Sequence, residues 1–432
     1  MDYRMNKVKN IITKFLNWLR KRTILKIGLI VTGVSITSLI LAIVIGFMVI
    51  REHGKNNLYN TNSSDNINFG QLTTDEDVEI EIDLDNMGES ENESIESVTH
   101  ESTTPPASGE SVNNNETTKP STPKPTPPSQ EEYEPVETVT GNVIQGNDND
   151  DYDIMYKGKK YIYNKDILTL LILGIDKDSK AVKAKDGISG GQSDGIYLVV
   201  MNPDTHKIDL ITVHRDTIAK LWIYDKEGNF VQTGRAQICL QHGFGDGMEL
   251  SNERAKNAIS TLFYGLPIHS VTSVNMGAIP ELNDAIGGVS IQALESFSRN
   301  GYTFEQGKTY TLKGMSAYAY VRFRDTTQHY TASKRLERQK QYLSEAMNQG
   351  ITAIKDDPGI VVDIYNIIKD YVVTDLSVDE MLYLATEASG YTLGKTYTPT
   401  GTVDTSRKYE RYYLDTAAFE ELIVNIFYEE VK

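Results

Sequence analysis

The chain has very little cysteine: Cys239 is the only one among its 432 residues. One thiol cannot form an internal disulfide, so the folded part must be stabilised by its hydrophobic core. No convincing base accompanies the thiol in the sequence, and we interpret it as a buried bystander rather than a nucleophile. The sequence also shows no internal repeat of fixed period.

An excess of positive charge is also lacking, because the whole chain carries a net charge of −17. Residues 1–26 contain eight lysines and arginines against one acid, Asp2, so this segment carries +7 and the remainder carries −24. An acidic surface is repelled by the phosphate backbone of nucleic acids. The composition therefore argues against a nucleic-acid partner.

Long hydrophobic runs are absent apart from one, which begins at Ile27 and ends at Ile50 without a charged residue. At about 1.5 Å of rise per residue, a helix of this length spans a hydrocarbon core of about 30 Å. The basic residues lie before the run, so the positive-inside rule predicts a cytoplasmic N-terminus and an extracellular remainder. Residues 1–26 are then a cytoplasmic tail, either an amphipathic helix on anionic lipid or a disordered segment that only sets topology.

Residues 51–140 are poor in aromatic residues and rich in Ser, Thr, Asn, Asp and Glu. Such a segment cannot bury enough apolar surface to offset its chain entropy, and we expect a disordered extracellular stalk. Its proline-rich part, residues 120–128, favours an extended polyproline conformation.

Residues 141–432 remain for one large domain. Short apolar runs at 168–175, 195–201 and 208–213 predict buried strands, and residues 333–350 predict a polar helix. The sequence SVDE at 377–380 is a capping box that opens a further helix. Alternating strands and helices predict an α/β fold, or a mixed α+β sandwich, in which helices cover a central sheet.

Acidic residues occur where the predicted strands end. Asp176 follows the first of these strands, Asp194 precedes the second, and Arg215 and Asp216 follow the third. Ligands of α/β sheets bind beyond the carboxyl ends of the strands. Each of these residues taken singly also suits an ordinary turn, in which Asp is common.

Four arginines within seventeen residues stand against the acidic composition: Arg322, Arg324, Arg335 and Arg338. A guanidinium group presents a planar fork of donors that matches phosphate oxygens. On a helix, Gln339 shares a face with the last two of these arginines. The bland alternative is a solvated helix face with carboxylate partners. The functional hypothesis is a site in which arginines hold phosphate while Asp176 and Asp194 hold a divalent cation, Mg²⁺ or Mn²⁺.

Six motifs, in their order and spacing, resemble those of the LytR-CpsA-Psr family. They are LILGID at 171–176, SD at 193–194, TVHRDT at 212–217, NDAIGGV at 283–289, AYAYVRFR at 317–324 and RLERQ at 335–339. The resemblance implies a phosphotransferase of the cell wall, which moves an anionic glycopolymer such as teichoic acid or capsule from a polyprenyl-pyrophosphate carrier to peptidoglycan. A single membrane helix and an acidic stalk also suit that family.

The resemblance implies a role for each matching residue. Asp176 and Asp194 would serve the metal and the acceptor, and Asp216 would orient Arg215, with the two acids and this pair forming the catalytic group. The pyrophosphate would be held by Arg215, Arg322, Arg324, Arg335 and Gln339, and we add Arg338 from the same helix face.

The sequence departs from the common pattern at several positions. Many members have Arg where Gln192 stands, Pro where His214 stands, and Asp and Gly where Ala332 and Lys334 stand. One phosphate ligand and one carboxylate are thus missing, and Gln192 takes the place of the first. The sequence offers further replacements: Lys334 or Arg235 for the cation and Asp325 for the acid.

These departures keep an alternative open. The protein could instead be a non-catalytic envelope protein that binds polyprenyl pyrophosphate or has a regulatory role. A structural surface protein would leave the arginine cluster without a purpose. The catalytic hypothesis has an acceptor sugar hydroxyl attacking the phosphorus bonded to the glycan, with the arginines and a cation stabilising the developing charge.

Overall fold

The structure, a computed structural model, describes residues 48–60, 79, 80, 82, 154–324, 331–357 and 359–432. The predictions for the tail at 1–26, for residues 27–47 of the membrane helix and for most of the stalk lie outside these residues, as does Asp325. Within the described ranges, no helix is both long enough and apolar enough to cross a membrane.

Seventeen strands are described between residues 154 and 432. They are β1 (Ile154–Tyr156), β2 (Lys159–Tyr163), β3 (Leu168–Ile175), β4 (Ser193–Asn202), β5 (Lys207–Val213), β6 (Ile218–Tyr224), β7 (Phe230–Gln237), β8 (Ser270–Asn275), β9 (Ser290–Gln292), β10 (Phe297–Arg299), β11 (Tyr302–Phe304), β12 (Thr309–Thr311), β13 (Val372–Thr374), β14 (Thr392–Tyr397), β15 (Gly401–Asp404), β16 (Arg411–Leu414) and β17 (Tyr428–Glu430).

The helices of the same region are α1 (Leu240–Gly243), α2 (Glu249–Leu262), α3 (Ile279–Ala285), α4 (Met315–Arg322), α5 (Thr331–Asp356), α6 (Ile360–Ile368), α7 (Val378–Ser389) and α8 (Thr416–Phe427). The predicted capping box is present at the start of α7, between Ser377 and Glu380. Asp415 caps α8 by accepting from the Ala418 N–H at 3.1 Å. These caps satisfy N–H groups that a helix start leaves without intrahelical partners, which is why both helices begin where they do.

Six strands form the central sheet, in the order β13-β8-β3-β4-β5-β14. β3 runs antiparallel to β4, and β4 runs antiparallel to β5, while β8 and β14 add parallel partners outside them. The sheet is therefore mixed. Because of these directions, the end of β3, the start of β4 and the end of β5 lie at the same edge.

Apolar side chains alternate along these strands and enter two cores, one on each face of the sheet. Leu171, Leu173 and Leu198 face the first core, with α2 and α8 packed over them. Tyr197 and Val199 face the second core, which α7 and the C-terminal half of α5 cover. A sheet buried on both faces carries nearly continuous apolar runs. The predicted α/β sandwich with a helix-covered central sheet is confirmed.

Residues 48–60 are helical and pack on the second core, which differs from the disorder predicted after residue 50. Leu58 is only 1% exposed there. Gly54 lies so close to α7 that a Cβ atom would collide with the carbonyl group of Asp379. Arg51 forms an ion pair with Glu387. The prediction was wrong here because it rested on the average composition of residues 51–140. A short helix with apolar contacts to the domain does not change that average.

Candidate functional site

The three strand ends predicted to carry the site meet at one edge of the central sheet. The backbone N–H groups of Asp176 and Asp194 both donate to the carbonyl oxygen of Gln192, each at 3.1 Å. The Gln192 N–H in turn donates to Oδ1 of Asp176 at 2.8 Å. Gln192, which stands where many family members have Arg, thus joins the two acids through its backbone.

Asp194 lies between two arginines that arrive from different elements. Arg215, just after β5, bonds its Oδ1 through Nη1, and Arg335, on α5, donates to its Oδ2 at 2.7 Å. The side chains of Asp194 and Arg335 are both 7% exposed. Both carboxylate oxygens are therefore occupied by guanidinium groups that are themselves shielded from water.

The guanidinium group of Arg215 is surrounded on all sides. Besides Asp194, it donates to Oε1 of Gln192 at 2.5 Å, to Sγ of Cys239 at 3.2 Å and to Oδ1 of Asp216 at 3.2 Å. Burial alone would lower the pKa of Arg215, but the groups around it, with Cys239 and Asp216 foremost, raise that pKa above its ordinary value. Asp216 thus contacts the arginine that the family resemblance expects it to orient.

Two further arginines crowd the same edge. Burial, followed by the charge of Arg215, lowers the pKa of Arg335 to about 10. Burial and then the charge of Arg335 lower the pKa of Arg324, whose Nη2 lies 3.9 Å from the Glu410 carboxylate. The three guanidinium groups repel one another in a poorly solvated place. An additional anion there would relieve that repulsion.

Arg322 ends α4 on the more exposed side of this cluster. Its Nη1 donates to Oδ1 of Asp178 at 2.5 Å, and the Tyr318 hydroxyl donates to the same oxygen at 2.8 Å. The Arg322 side chain is 26% exposed. Burial raises the pKa of Asp176, and the charges of Arg215 and Arg322 partly oppose that rise, so Arg322 lies near the acids.

Other predicted ligands take different positions. Arg338 is buried and gives its donors to Glu295 and to the carbonyl groups of Tyr320 and Phe323, so we remove it from the candidate site. Its role is to join α5 to α4, because a buried guanidinium must be paired.

Three more residues considered as phosphate ligands lie elsewhere or have other partners. They are Gln339 and the two replacement cations, Arg235 and Lys334. The Gln339 amide donates to the Val321 carbonyl at 3.3 Å, which fixes α5 against α4. Arg235 is exposed on β7, opposite Lys220, and Lys334 is exposed at the start of α5. Neither side chain is enclosed with the buried arginines.

His214 is buried at the end of β5 and fixes the start of α5. Its Nδ1 accepts from the Asp216 N–H at 3.3 Å, so Nε2 carries the proton and donates to Ser333 Oγ at 3.3 Å. Its ring stacks on Tyr412 with centroids 4.7 Å apart. Burial lowers its pKa, against the opposing charge of Asp216, and this favours the neutral ring.

Asp176 is the carboxylate that best fits a divalent cation. No cationic side chain donates a hydrogen bond to it among the described residues, and burial raises its pKa against the partial opposition of Arg215. A cation would remove that penalty. The described residues contain no cluster of three or more His, Cys, Asp or Glu suited to a metal. The donor set therefore fits an ion such as Mg²⁺ only if substrate phosphates supply most of its ligands.

Sequence reasoning missed the groups that contact the site from distant positions. Cys239, interpreted as a bystander, is buried and accepts a hydrogen bond from Arg215. Glu410 and Tyr412 approach from β16 and the turn before it, about two hundred residues after Arg215 in the chain. No spacing pattern in the sequence connects them with the arginines. Asp178, two residues after Asp176, was the one with a local signal.

Comparison with known proteins identifies the family. The model of the LytR_cpsA_psr family matches residues 133–423. A polyisoprenyl-teichoic acid–peptidoglycan teichoic acid transferase TagU of Oceanobacillus iheyensis is 29% identical over 229 residues, which are 52% of this chain and 64% of that protein. TagU of Bacillus subtilis is 27% identical over 232 residues, 53% of this chain and 66% of that protein. The chain thus spans just under two thirds of the length of these relatives.

A solved structure also shares the fold. Protein gbs0355 of Streptococcus agalactiae has a TM-score of 0.50 and 20% identity, over 60% of this chain and 86% of its own.

Proposed function

This chain belongs to the LytR_cpsA_psr family, and on that premise we propose that it is a phosphotransferase of the cell wall. It moves an anionic glycopolymer from a polyprenyl-pyrophosphate carrier to peptidoglycan. The names of its relatives support this, because they are transferases that link teichoic acid to peptidoglycan. Teichoic acid is thus the first polymer to test.

The observation that carries the proposal is the placement of Asp194 between Arg215 and Arg335. Two guanidinium forks that meet on one carboxylate present donors to an anion from two directions. A pyrophosphate offers more oxygens and more charge than a carboxylate, and planar forks bind it in the same way. Arg324 and Arg322 extend the row of donors toward solvent.

The reaction forms one phosphorus–oxygen bond and breaks another. An acceptor hydroxyl of peptidoglycan attacks the phosphorus bonded to the glycan, and polyprenyl phosphate leaves with the electron pair of the broken bond. The arginines stabilise charge on the phosphate oxygens through positions that are fixed before the reaction. The hydroxyl proton passes to Asp176, because no arginine donates a hydrogen bond to its carboxylate among the described residues, whereas both oxygens of Asp194 are held by arginines.

We further propose that Mg²⁺ or Mn²⁺ assists. Asp176 would hold the ion together with the donor phosphates, with Asp194 available when its arginines turn to the donor. When bound, the ion supplies charge neutralisation at the phosphate oxygens.

The location of the domain is part of the proposal. Residues 27–50 cross the bilayer once, the basic residues 1–26 stay in the cytoplasm, and the domain faces the wall, where peptidoglycan lies. Protease added to intact protoplasts should remove the domain from Tyr152 onward. Complete protection of the domain would overturn this topology and the function with it.

The decisive assay uses a radiolabelled lipid-linked donor, wall fragments as acceptor, and Mg²⁺ either present or chelated. Arg335→Ala should lose both donor binding and transfer, whereas the neighbouring exposed residue changed in Lys334→Ala should leave both near wild type. Tight donor binding by the wild-type protein without transfer under any metal condition would instead support the non-catalytic binding protein. The presence of Gln192 where many family members have Arg would then be the first explanation to test for the missing transfer.

A further inference from the structure

A short piece of the N-terminal segment lies against the edge of the β6–β7 hairpin. The Ile80 N–H donates to the Arg235 carbonyl oxygen at 3.0 Å, and Glu79 is bridged to Arg235 in parallel register. Ile80 packs so closely over Gly234 that a Cβ atom there would lie 2.8 Å from its side chain. Ile80 and Ile82 also contact the first core. We name residues 79, 80 and 82 the strap.

Among the described residues, Glu79 of the strap is the carboxylate that pairs with the buried Arg411. The Arg411 side chain is 3% exposed and forms its ion pair with Glu79. The Tyr413 hydroxyl donates to Glu79 Oε1 at 3.0 Å, so both neighbours hold the same carboxylate. A buried guanidinium that loses its partner is strongly unfavourable. The position of Arg411 therefore depends on a residue from outside the domain predicted from the sequence.

Residues next to Arg411 contact the candidate site directly. The Tyr412 N–H donates to the Asp216 carbonyl oxygen at 2.8 Å, and the Tyr412 ring stacks on His214. The carboxylate of Glu410 faces Arg324 at 3.9 Å. One short stretch of chain thus joins the strap to the residues that hold Arg215 and Arg324 in place.

We infer that Glu79 is a positioning residue for the donor site. It acts through Arg411, which holds β16 and thereby Glu410 and Tyr412 against Arg324 and Asp216. Its effect on the donor rests on the proposed function, whereas its effect on the backbone at Tyr412 does not. The N-terminal segment then helps to position the residues of the site, in addition to connecting the domain to the preceding chain.

The test compares the full chain with Glu79→Gln, which keeps the shape of the side chain and removes its charge. Glu52→Gln is the control, because Glu52 is an exposed glutamate on the helix at residues 48–60. The first readout is hydrogen exchange of the Tyr412 amide, which requires no donor. Glu79→Gln should speed exchange at Tyr412 and leave α7 unchanged, and Glu52→Gln should change neither.

The second readout is the affinity for farnesyl pyrophosphate. Glu79→Gln should weaken it about fivefold, a typical size for coupling through a contact network. The conservative variant Arg411→Lys should retain most of the affinity. In an Arg324→Ala background, Glu79→Gln should add little, because the two changes act on the same contact.

The outcomes separate the two proposals. Unchanged exchange at Tyr412 in Glu79→Gln overturns the positioning role, whatever the protein catalyses. A lower melting temperature with unchanged exchange at Tyr412 and unchanged affinity would show that Glu79 only anchors the strap, which also overturns it. Faster exchange at Tyr412 in a wild-type background that binds no pyrophosphate would leave the strap coupling intact and refute the proposed function.

Discussion

The Nη1 atom of Arg335 donates to Oδ2 of Asp194 at 2.7 Å, and both side chains are almost entirely shielded from water. The two residues lie 141 positions apart in the chain. Their contact brings α5 against the start of β4.

Asp194→Asn should separate capture of the donor from its transfer. The change removes the negative charge that holds two arginines, so both can turn to phosphate, and it also removes the second carboxylate that the proposal makes available to the metal. We expect transfer to wall fragments to be lost and binding of lipid-linked donor to be largely kept. Equilibrium binding and transfer are measured on the same preparation. Equal loss of both would contradict the separation of roles.

Arg322→Ala should weaken binding of a polyprenyl pyrophosphate by about 1.5–3 kcal/mol, the usual contribution of a hydrogen bond to a charged group. Arg322→Lys should recover only part of this, because an ammonium group cannot form the bidentate contact. Titration calorimetry with the full chain measures both values. Lys334→Ala provides the control on the same side of the molecule. Full recovery by lysine would show that only charge matters at this position.

Two buried histidines should make the fold sensitive to mild acid. Burial lowers the pKa of His242 and His269 to about 4 from an ordinary 6.5. The unfolded state binds protons first as the pH falls through 6.5. The free energy of unfolding is therefore full above about pH 6.5 and declines toward pH 4, by up to roughly 3 kcal/mol per histidine.

Urea unfolding at several pH values between 4.5 and 7.5 checks this expectation. His269→Gln should flatten the decline, because an amide does not take up a proton in this pH range. The variant should still fold, since the amide oxygen can accept the bond that Thr169 N–H donates to His269 at 3.1 Å. The exposed His53 supplies a control, His53→Gln, which should leave the decline as in wild type. An unchanged decline in His269→Gln would argue against the histidine as its source.

Leu58→Ala should destabilise the fold even though it lies far before the family domain. Leu58 is 1% exposed, and removal of a buried leucine side chain costs about 2–5 kcal/mol. Asn56→Ala, at an exposed position on the same helix and outside the proposed membrane segment, should have little effect. Thermal unfolding of the two variants makes the comparison. Similar melting temperatures would mean that the helix is not part of the cooperative unit.

Local patterns in the sequence were sufficient for much of the fold. The apolar run at β3 predicted its limits, and Asp176 at the end of β3 contacts Gln192, which stands just before β4. The capping box that begins at Ser377 also marked a helix start correctly. Such signals succeed because they depend on neighbours within a few residues, which a sequence displays directly.

The rest depended on contacts between distant segments. Arg338 matches a family motif as well as Arg335 does, and it follows Arg335 on α5 by three residues. Its guanidinium group is nevertheless buried against the Tyr320 carbonyl, whereas that of Arg335 contacts Asp194. The pairing of Arg411 with Glu79 joins an acidic, low-complexity segment to β16. Neither residue has a local signal for the other. Only the tertiary fold decides which arginines remain for a ligand.

Because the helix at residues 48–60 packs on the domain, the chain that follows this helix starts from a fixed point on the domain. The chain is held by the domain at Leu58, again at Ile80, and once more at β1, which begins at Ile154. The chain between these points therefore closes a loop on one body whatever its own conformation, and in the proposed topology the helix at residues 48–60 sets the height of the domain above the membrane. Each doubling of such a loop costs only about 0.6 kcal/mol. Their length can therefore vary widely while the distance from the bilayer to the arginines stays the same.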